Sequence, residues 1–465
     1  MRYISTRGQA EPVGFLDACL SGLAPDGGLY VPETFPQLAP AAPNETYIDL
    51  ATRVLKAFAG DDLPEVDVRG LCSRAYGRFA HSDVAPLVAY GPNHWLMELH
   101  HGPTLAFKDV AMQVIGELYG QALERRGQTM SIVCATSGDT GGAAAAAFAG
   151  QSRVNLTILH PHGRISPVQR LFMTTTGAEN VQNLALNSDF DTCQAFVKSM
   201  FADTAFAGSV GLSGVNSINW ARIAAQSVYY ASAQRQLGPA RPIRFVVPTG
   251  NMGDALAGYV AARCGLLAGL DVVCAVNDNR ALADVFEIGR MVRTETTPTP
   301  SPAMDITVPS NLERLLFEVS GRDGDAVTGL YQRFAQAGEV DLPETIRGPL
   351  GCTGLAARSV TATQTGDELT RFHADTGWLI CPHTAVGTAV ARTLPETDAA
   401  TVVLATAHPA KFPETVEAVT GHQAPLPERC DGLRARCEVY SEMDADLGAV
   451  KAAISGRTTA QAGAG

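Results

Sequence analysis

The chain has 465 residues, 46% hydrophobic and 18% charged, which is material for two or three globular domains. Its formal charge of -12 excludes the basic face that a nucleic acid or an anionic membrane requires, so an anionic small ligand needs a local basic or amide-lined site. No apolar run reaches the ~20 residues of a membrane span, the opening "MRYISTRGQAEP" lacks a signal-peptide core, and a cytoplasmic protein is expected.

In chain order, Pro12, Pro25, Pro32, Pro36, Pro40 and Pro43 punctuate an N-terminal cap region, with a helix expected near 47–58. From Trp95 onward short apolar runs alternate with amphipathic segments, the pattern of a mostly parallel sheet covered by helices. Strands are expected at 95–99, 130–135, 154–159, 181–186, 243–248, 271–276, 377–381 and 401–406, and helices at 109–126 and 311–319. Gly116 and Gly120 weaken the first of these helices but permit close packing. Residues 294–310 read as a long loop, and the closing "TTAQAGAG" is expected to fray. The ten cysteines form no C-x-x-C pair and most read as reduced core residues, and the ten histidines include no H-E-x-x-H, so no metal is expected.

Ligands of open α/β sheets lie where strands hand over to helices, and four such junctions stand out. In "HHGPTLAFKDV" (100–110), Lys108 follows a Gly102–Pro103 loop at the start of a helix. The positive helix end and shielding by Leu105, Ala106 and Phe107 both favour its neutral, nucleophilic form; the alternative is a surface lysine beside Asp109. "ATSGDTGG" (135–142) offers converging glycine amides, the hydroxyls of Ser137 and Thr140 and a helix start, a seat for an anion, or else a tight turn capped by Asp139. "VVPTGNMGDALAGY" (246–259) repeats the pattern around Gly250 and Gly253, as a phosphate cradle without a cation or as an ordinary turn. In "LATAHPAKF" (404–412), Thr406 ends a strand where its hydroxyl can meet a ring nitrogen or bond its own backbone, with His408 and Lys411 just beyond. An activated lysine with two cradles and a neutral ring partner suggests pyridoxal phosphate.

The motifs "YISTRG" (3–8), "PDGGLYVP" (25–32), "HGPTLAFKD", "SGDTGG", "GNMGD" and "TAHPAKF", with "NSINWARI" (216–223), resemble those of the threonine synthase family, in its long bacterial and fungal branch, over nearly the whole chain. The resemblance implies an α/β fold of two three-layer α/β/α domains, of the tryptophan synthase β-like, fold type II class of pyridoxal phosphate enzymes. The expected division is a cap region at 1–90, a small domain with the substrate loop at 91–215 and a large domain with the cofactor phosphate loop at 216–465. It implies a carbon–oxygen lyase acting on phosphates, which converts O-phospho-L-homoserine and water to L-threonine and phosphate by γ-elimination and β-addition, the last step of threonine biosynthesis.

By the same resemblance Lys108 carries the cofactor and moves protons, Gly250, Asn251, Met252, Gly253 and Asp254 hold its phosphate, and Thr406 meets its pyridine nitrogen. Thr104, Ser137, Gly138, Asp139 and Thr140 hold the substrate, and Asn216, Ser217, Asn219 and Arg222 its phosphate, Arg222 being equally readable as a structural ion-pair residue. Met252 stands where phenylalanine is common, without expected loss because amides do the binding. Closure of the small domain against the large one is expected to protect the reaction. The competing readings are another lyase of this fold, such as a serine or threonine dehydratase, and a non-catalytic cofactor-binding homologue. The oligomeric state stays open, a monomer being slightly favoured.

Overall fold

All but one of the apolar runs become strands of two sheets in the computed structural model, which describes the backbone of residues 1–462 and side chains as far as residue 457. In chain order the strands are β1 Tyr3–Ser5, β2 Tyr30–Pro32, β3 Leu87–Gly91, β4 His94–Glu98, β5 Met130–Ala135, β6 Val154–Pro161, β7 Val181–Leu186, β8 Leu212–Ser213, β9 Ile243–Pro248, β10 Val272–Val276, β11 Arg290–Val292, β12 Glu339–Asp341, β13 Leu355–Ser359, β14 Ala400–Ala405 and β15 Ser441–Met443. One sheet has six strands in the order β13-β10-β9-β14-β4-β3, parallel except for the edge pair β3–β4. The other has five, all parallel, in the order β15-β7-β6-β5-β8. Parallel strands carry helical crossovers on their faces, so a central one is predominantly apolar, and every residue of β6 is buried, Asn155, Thr157 and His160 included.

The sheets divide the chain differently from the expected 91–215 and 216–465. β4 pairs with β14 in the six-stranded sheet, Leu96 opposite Val403. β15 extends the five-stranded sheet beside β7, and the helix Leu447–Ala462 sends Val450 and Ile454 into the apolar cluster of Leu184 and Leu186. The small half therefore takes its last strand and helix from the C-terminal end. The N-terminal region caps the body by sharing its core: the Tyr3 ring lies 6.0 Å from that of Trp220, and Thr6 and Arg7 bond Glu313.

Other expectations change locally. Residues 377–381 form no strand, because Gly377 (φ 75°) closes the helix Ala362–Thr376 and Cys381 caps the helix Pro382–Thr393. The strand on that side is β13, "LAARS", an edge strand whose arginine and serine hide its apolar signal. The tail expected to fray is helical to Ala462, and 463–465 lie outside the described residues. No helix among the described residues is long and apolar enough to cross a membrane. A Cβ on Gly116 would stand 2.5 Å from the Ala147 carbonyl oxygen, so the helices Lys108–Arg126 and Asp139–Phe148 touch backbone to backbone. That contact brings their first residues, Lys108 and Asp139, to one edge.

Candidate functional site

Lys108 is set by a loop sewn to the end of β14. The Phe107 N–H donates to the Thr406 carbonyl (2.8 Å) and the His408 N–H to the Leu105 carbonyl (3.0 Å). Leu105 takes a left-handed turn (φ 63°), and Phe107 gives the helix no side-chain cap. Below the loop, Asp109 accepts from the Thr104 N–H (2.8 Å) and hydroxyl (2.7 Å), and a Cβ on Gly102 would meet the Asp109 Cβ at 2.4 Å. The Lys108 side chain is 12% exposed, with Nζ 3.5 Å from Asp139 Oδ2. Burial draws its pKa below the ordinary lysine value; Arg222 and Lys411 act in the same direction, against Asp139.

In the loop after β5, Thr136 Oγ1 accepts from the N–H groups of Gly138 (2.9 Å) and Gly141 (3.0 Å). The N–H groups of Ser137, Asp139 and Thr140 have no acceptor among the described residues, and the half-buried hydroxyls of Ser137 and Thr140 make no hydrogen bond there. Gly138 (φ 137°) stands at the helix cap, so Asp139 is not the cap the alternative reading required. Its Oδ1 instead accepts from Lys411 Nζ (2.8 Å) and Gln169 Nε2 (2.9 Å). Burial alone would raise this carboxyl, but Lys411 and Lys108 outweigh it and hold the pKa well below the usual range.

After β9, Met252 adopts a left-handed backbone (φ 61°), and the N–H groups of residues 250–255 have no acceptor among the described residues. A Cβ on Gly250 would lie 2.9 Å from the Ala303 carbonyl oxygen, and one on Gly253 3.2 Å from Asn311 Nδ2. Asn311 Nδ2 donates to the carbonyls of Asn251 and Ser217 (3.1 Å each), tying this loop to the segment 216–219. Asp254 accepts from the Tyr229 hydroxyl, and Tyr230 donates to its backbone carbonyl (3.0 Å). Its Oδ2 has no partner among the described residues, and burial pushes its pKa up to about 7 despite both tyrosines and Arg222. Arg222 is 4% exposed; among the described residues Nη1 reaches only the Val215 carbonyl at 3.5 Å, and Nε has no partner. Burial lowers its pKa to about 10, so it stays charged near neutral pH without a carboxylate at ion-pair distance among the described residues.

Pyridoxal phosphate fits this donor set. Six successive free amides at a helix start suit its phosphate, Lys108 its aldehyde carbon, and the buried Thr406 hydroxyl, which makes no hydrogen bond among the described residues, its ring nitrogen. Two residues expected at the substrate are committed elsewhere. Thr104 spends its N–H and hydroxyl on Asp109 and its carbonyl on Lys411. Asn219, fully buried, spends both amide hydrogens on the Cys19 carbonyl (2.7 Å) and the Tyr119 hydroxyl (2.9 Å) and caps the helix Trp220–Leu237. Asn216 is exposed and Ser217 half-buried at the rim.

Sequence reasoning named Lys411 beside Thr406 without giving it a role, and passed over Gln169, Asn311 and His383. His383 accepts the Ala303 N–H at Nε2 (3.2 Å), leaves Nδ1 unpaired, and is kept neutral by burial, which lowers its pKa to about 4. Only Lys411 carried a signal, a lysine just past a buried strand end.

A sequence model described as a pyridoxal-phosphate dependent enzyme matches residues 85–407, and models described as threonine synthase N terminus and threonine synthase, C-terminal match 2–76 and 384–454. Threonine synthase of Pseudomonas aeruginosa is 44% identical over 90% of this chain and 90% of its own. That of Saccharomyces cerevisiae is 36% identical, over 89% and 88%. The crystal structure of PLP-bound threonine synthase from Brucella melitensis matches with a TM-score of 0.94 at 44% identity, covering 98% of this chain and 99% of its own.

Proposed function

The chain belongs to the threonine synthase family, and from that premise we propose that it converts O-phospho-L-homoserine and water into L-threonine and phosphate, on a site built from Lys108 and two amide-lined loops. One observation carries the reading: a buried lysine lies 3.5 Å from Asp139 of one loop and acts on Asp254 of the other, and both loops present amides with no acceptor among the described residues. One lysine with two anion seats matches a phosphorylated cofactor and an anionic substrate. Residues 250–254 hold the cofactor phosphate, Thr406 meets the ring nitrogen, and pyridoxal phosphate supplies the electron-withdrawing ring that acidifies the substrate's α- and β-protons and lets phosphate leave from the γ-carbon.

The chain's own groups do the rest. Lys108, its ammonium destabilised by burial, takes the α-proton and then serves the β-carbon. The amides of Ser137, Asp139 and Thr140 with the two free hydroxyls orient the substrate carboxylate. Arg222, charged and with no carboxylate at ion-pair distance among the described residues, holds the substrate phosphate, while Asn219 and Thr104 keep helix and loop in place. Thr406 offers only a hydroxyl, which leaves the ring a moderate electron sink suited to elimination. The five-stranded half closing on the six-stranded half keeps stray water out. We expect a cytoplasmic monomer, checked by fractionation and light scattering.

The test is product analysis with the cofactor-loaded enzyme. Phosphate and threonine should appear together from O-phospho-L-homoserine, and borohydride should fix the cofactor on Lys108. Keto acid from L-serine or L-threonine as the main product would establish the dehydratase reading instead.

A further inference from the structure

Lys411 lies on the short turn Pro409–Lys411, which follows β14 and is capped by His408 Nδ1 (3.2 Å from the Ala410 N–H). Its side chain is 1% exposed. Nζ donates to Asp139 Oδ1 (2.8 Å) and to the Thr104 carbonyl (2.6 Å), and lies 5.2 Å from the centre of the Phe172 ring. The Lys411 carbonyl accepts from Ser166 Oγ at 2.8 Å. Asp139, Ser166 and Phe172 belong to the five-stranded half and Lys411 to the six-stranded half, so this buried ion pair joins the two.

The remaining oxygen of Asp139 faces Lys108, 3.5 Å away. A bare carboxylate there would repel an anion bound to the loop and hold Lys108 as an ammonium. The Lys411 amine on its far side, 2.8 Å from Oδ1, offsets both effects. We propose that Lys411 is a positioning residue that keeps Asp139 a neutralised seat for the Lys108 amine, so that Lys108 gives up and regains its proton without leaving a bare carboxylate beside the substrate.

The inference rests on Lys108 being the cofactor lysine. The other charged or titratable groups facing the trio are Arg222, Asp254 and His383 from three further helices, Asp109 from Lys108's own helix, His408, and the thiols of Cys381 and Cys430. None of them touches Asp139 within hydrogen-bond or ion-pair distance among the described residues.

The test follows the absorbance of the cofactor-loaded enzyme against pH, a signal of the protonation of the Lys108–cofactor bond that needs no turnover. In Lys411→Met the midpoint should rise by ~1 pH unit or more, with turnover at neutral pH falling ~10-fold and recovering at alkaline pH. Asp139→Asn should lower the midpoint, and the double variant should lie close to Asp139→Asn alone. Unchanged midpoints in Lys411→Met overturn the proposal. Should Lys411→Met fail to fold, the double variant, which buries no bare carboxylate, decides against Asp139→Asn. Midpoints within ~0.5 unit support the proposal, and a gap of ~1 unit overturns it, because Lys411 would then act without Asp139. Survival of the band in Lys108→Ala overturns this inference together with the cofactor reading; its loss there, with no movement in the Lys411 variants, overturns the inference alone.

Discussion

Asp139 and Asp254 stand at matching places, each in the first turn of a helix that follows a parallel strand and a glycine loop. Asp139 is flanked by Lys411 and Lys108 and stays ionised. Asp254 has tyrosine hydroxyls and an unpaired oxygen, and burial lifts it to about 7. Burial penalises both carboxylates, and the partners decide the outcome. A loop whose own charge is cancelled suits an anion that comes and goes. A loop whose carboxyl takes up a proton as a dianion arrives suits a phosphate that stays.

The largest expected effect removes the group that both loops serve. Lys108→Ala should lower turnover by at least ~10³-fold, measured by phosphate release. Arg222→Met should raise KM for O-phospho-L-homoserine by ~10- to 100-fold, the worth of a hydrogen bond to a charged group, while the cofactor stays bound. Equal loss of cofactor would move Arg222 from the exchanging anion to the permanent one. Thr140→Val, which removes one neutral donor from the first loop, should raise KM only ~5-fold.

The smallest effect concerns pH. The folded pKa of Asp254, about 7, exceeds the unfolded value of ~4, so the folded state binds the extra proton. Its contribution therefore falls as pH rises from ~4 to about 7 and is flat above. Asp139 has the opposite sign: its depressed folded pKa contributes stability above pH ~4 that is lost in acid. Thermal melts of the cofactor-free protein should lose the first slope in Asp254→Asn and keep it in Asp139→Asn.

The sequence reveals most where burial or chemistry leaves a local mark. β5, β7 and β9 coincide with the expected runs because strands buried on both faces are predominantly apolar, Ser131, Asn183 and Arg244 interrupting the runs without hiding them. The run at 377–381 misled because its apolar residues serve two helix ends, and β13 escaped because an edge strand tolerates Arg358 and Ser359. Lys108 and both glycine loops were legible, being unusual residues at strand-to-helix junctions. Gln169, Asn311 and His383 were not, since their roles come from partners distant in sequence: Asp139, Asn251 and Ala303. Thr104 and Asn219 sit beside the site in sequence yet turn their polar atoms inward, which no local pattern shows.

The division of labour between the loops is tested most directly by cofactor retention after dialysis in Gly253→Val and Thr140→Val, compared side by side. A side chain at position 253 meets Asn311 Nδ2 at 3.2 Å from its Cβ and crowds the free amides, so Gly253→Val should lose the cofactor while Thr140→Val keeps it. Full retention in Gly253→Val, or loss in Thr140→Val alone, would contradict the assignment of the cofactor phosphate to residues 250–254.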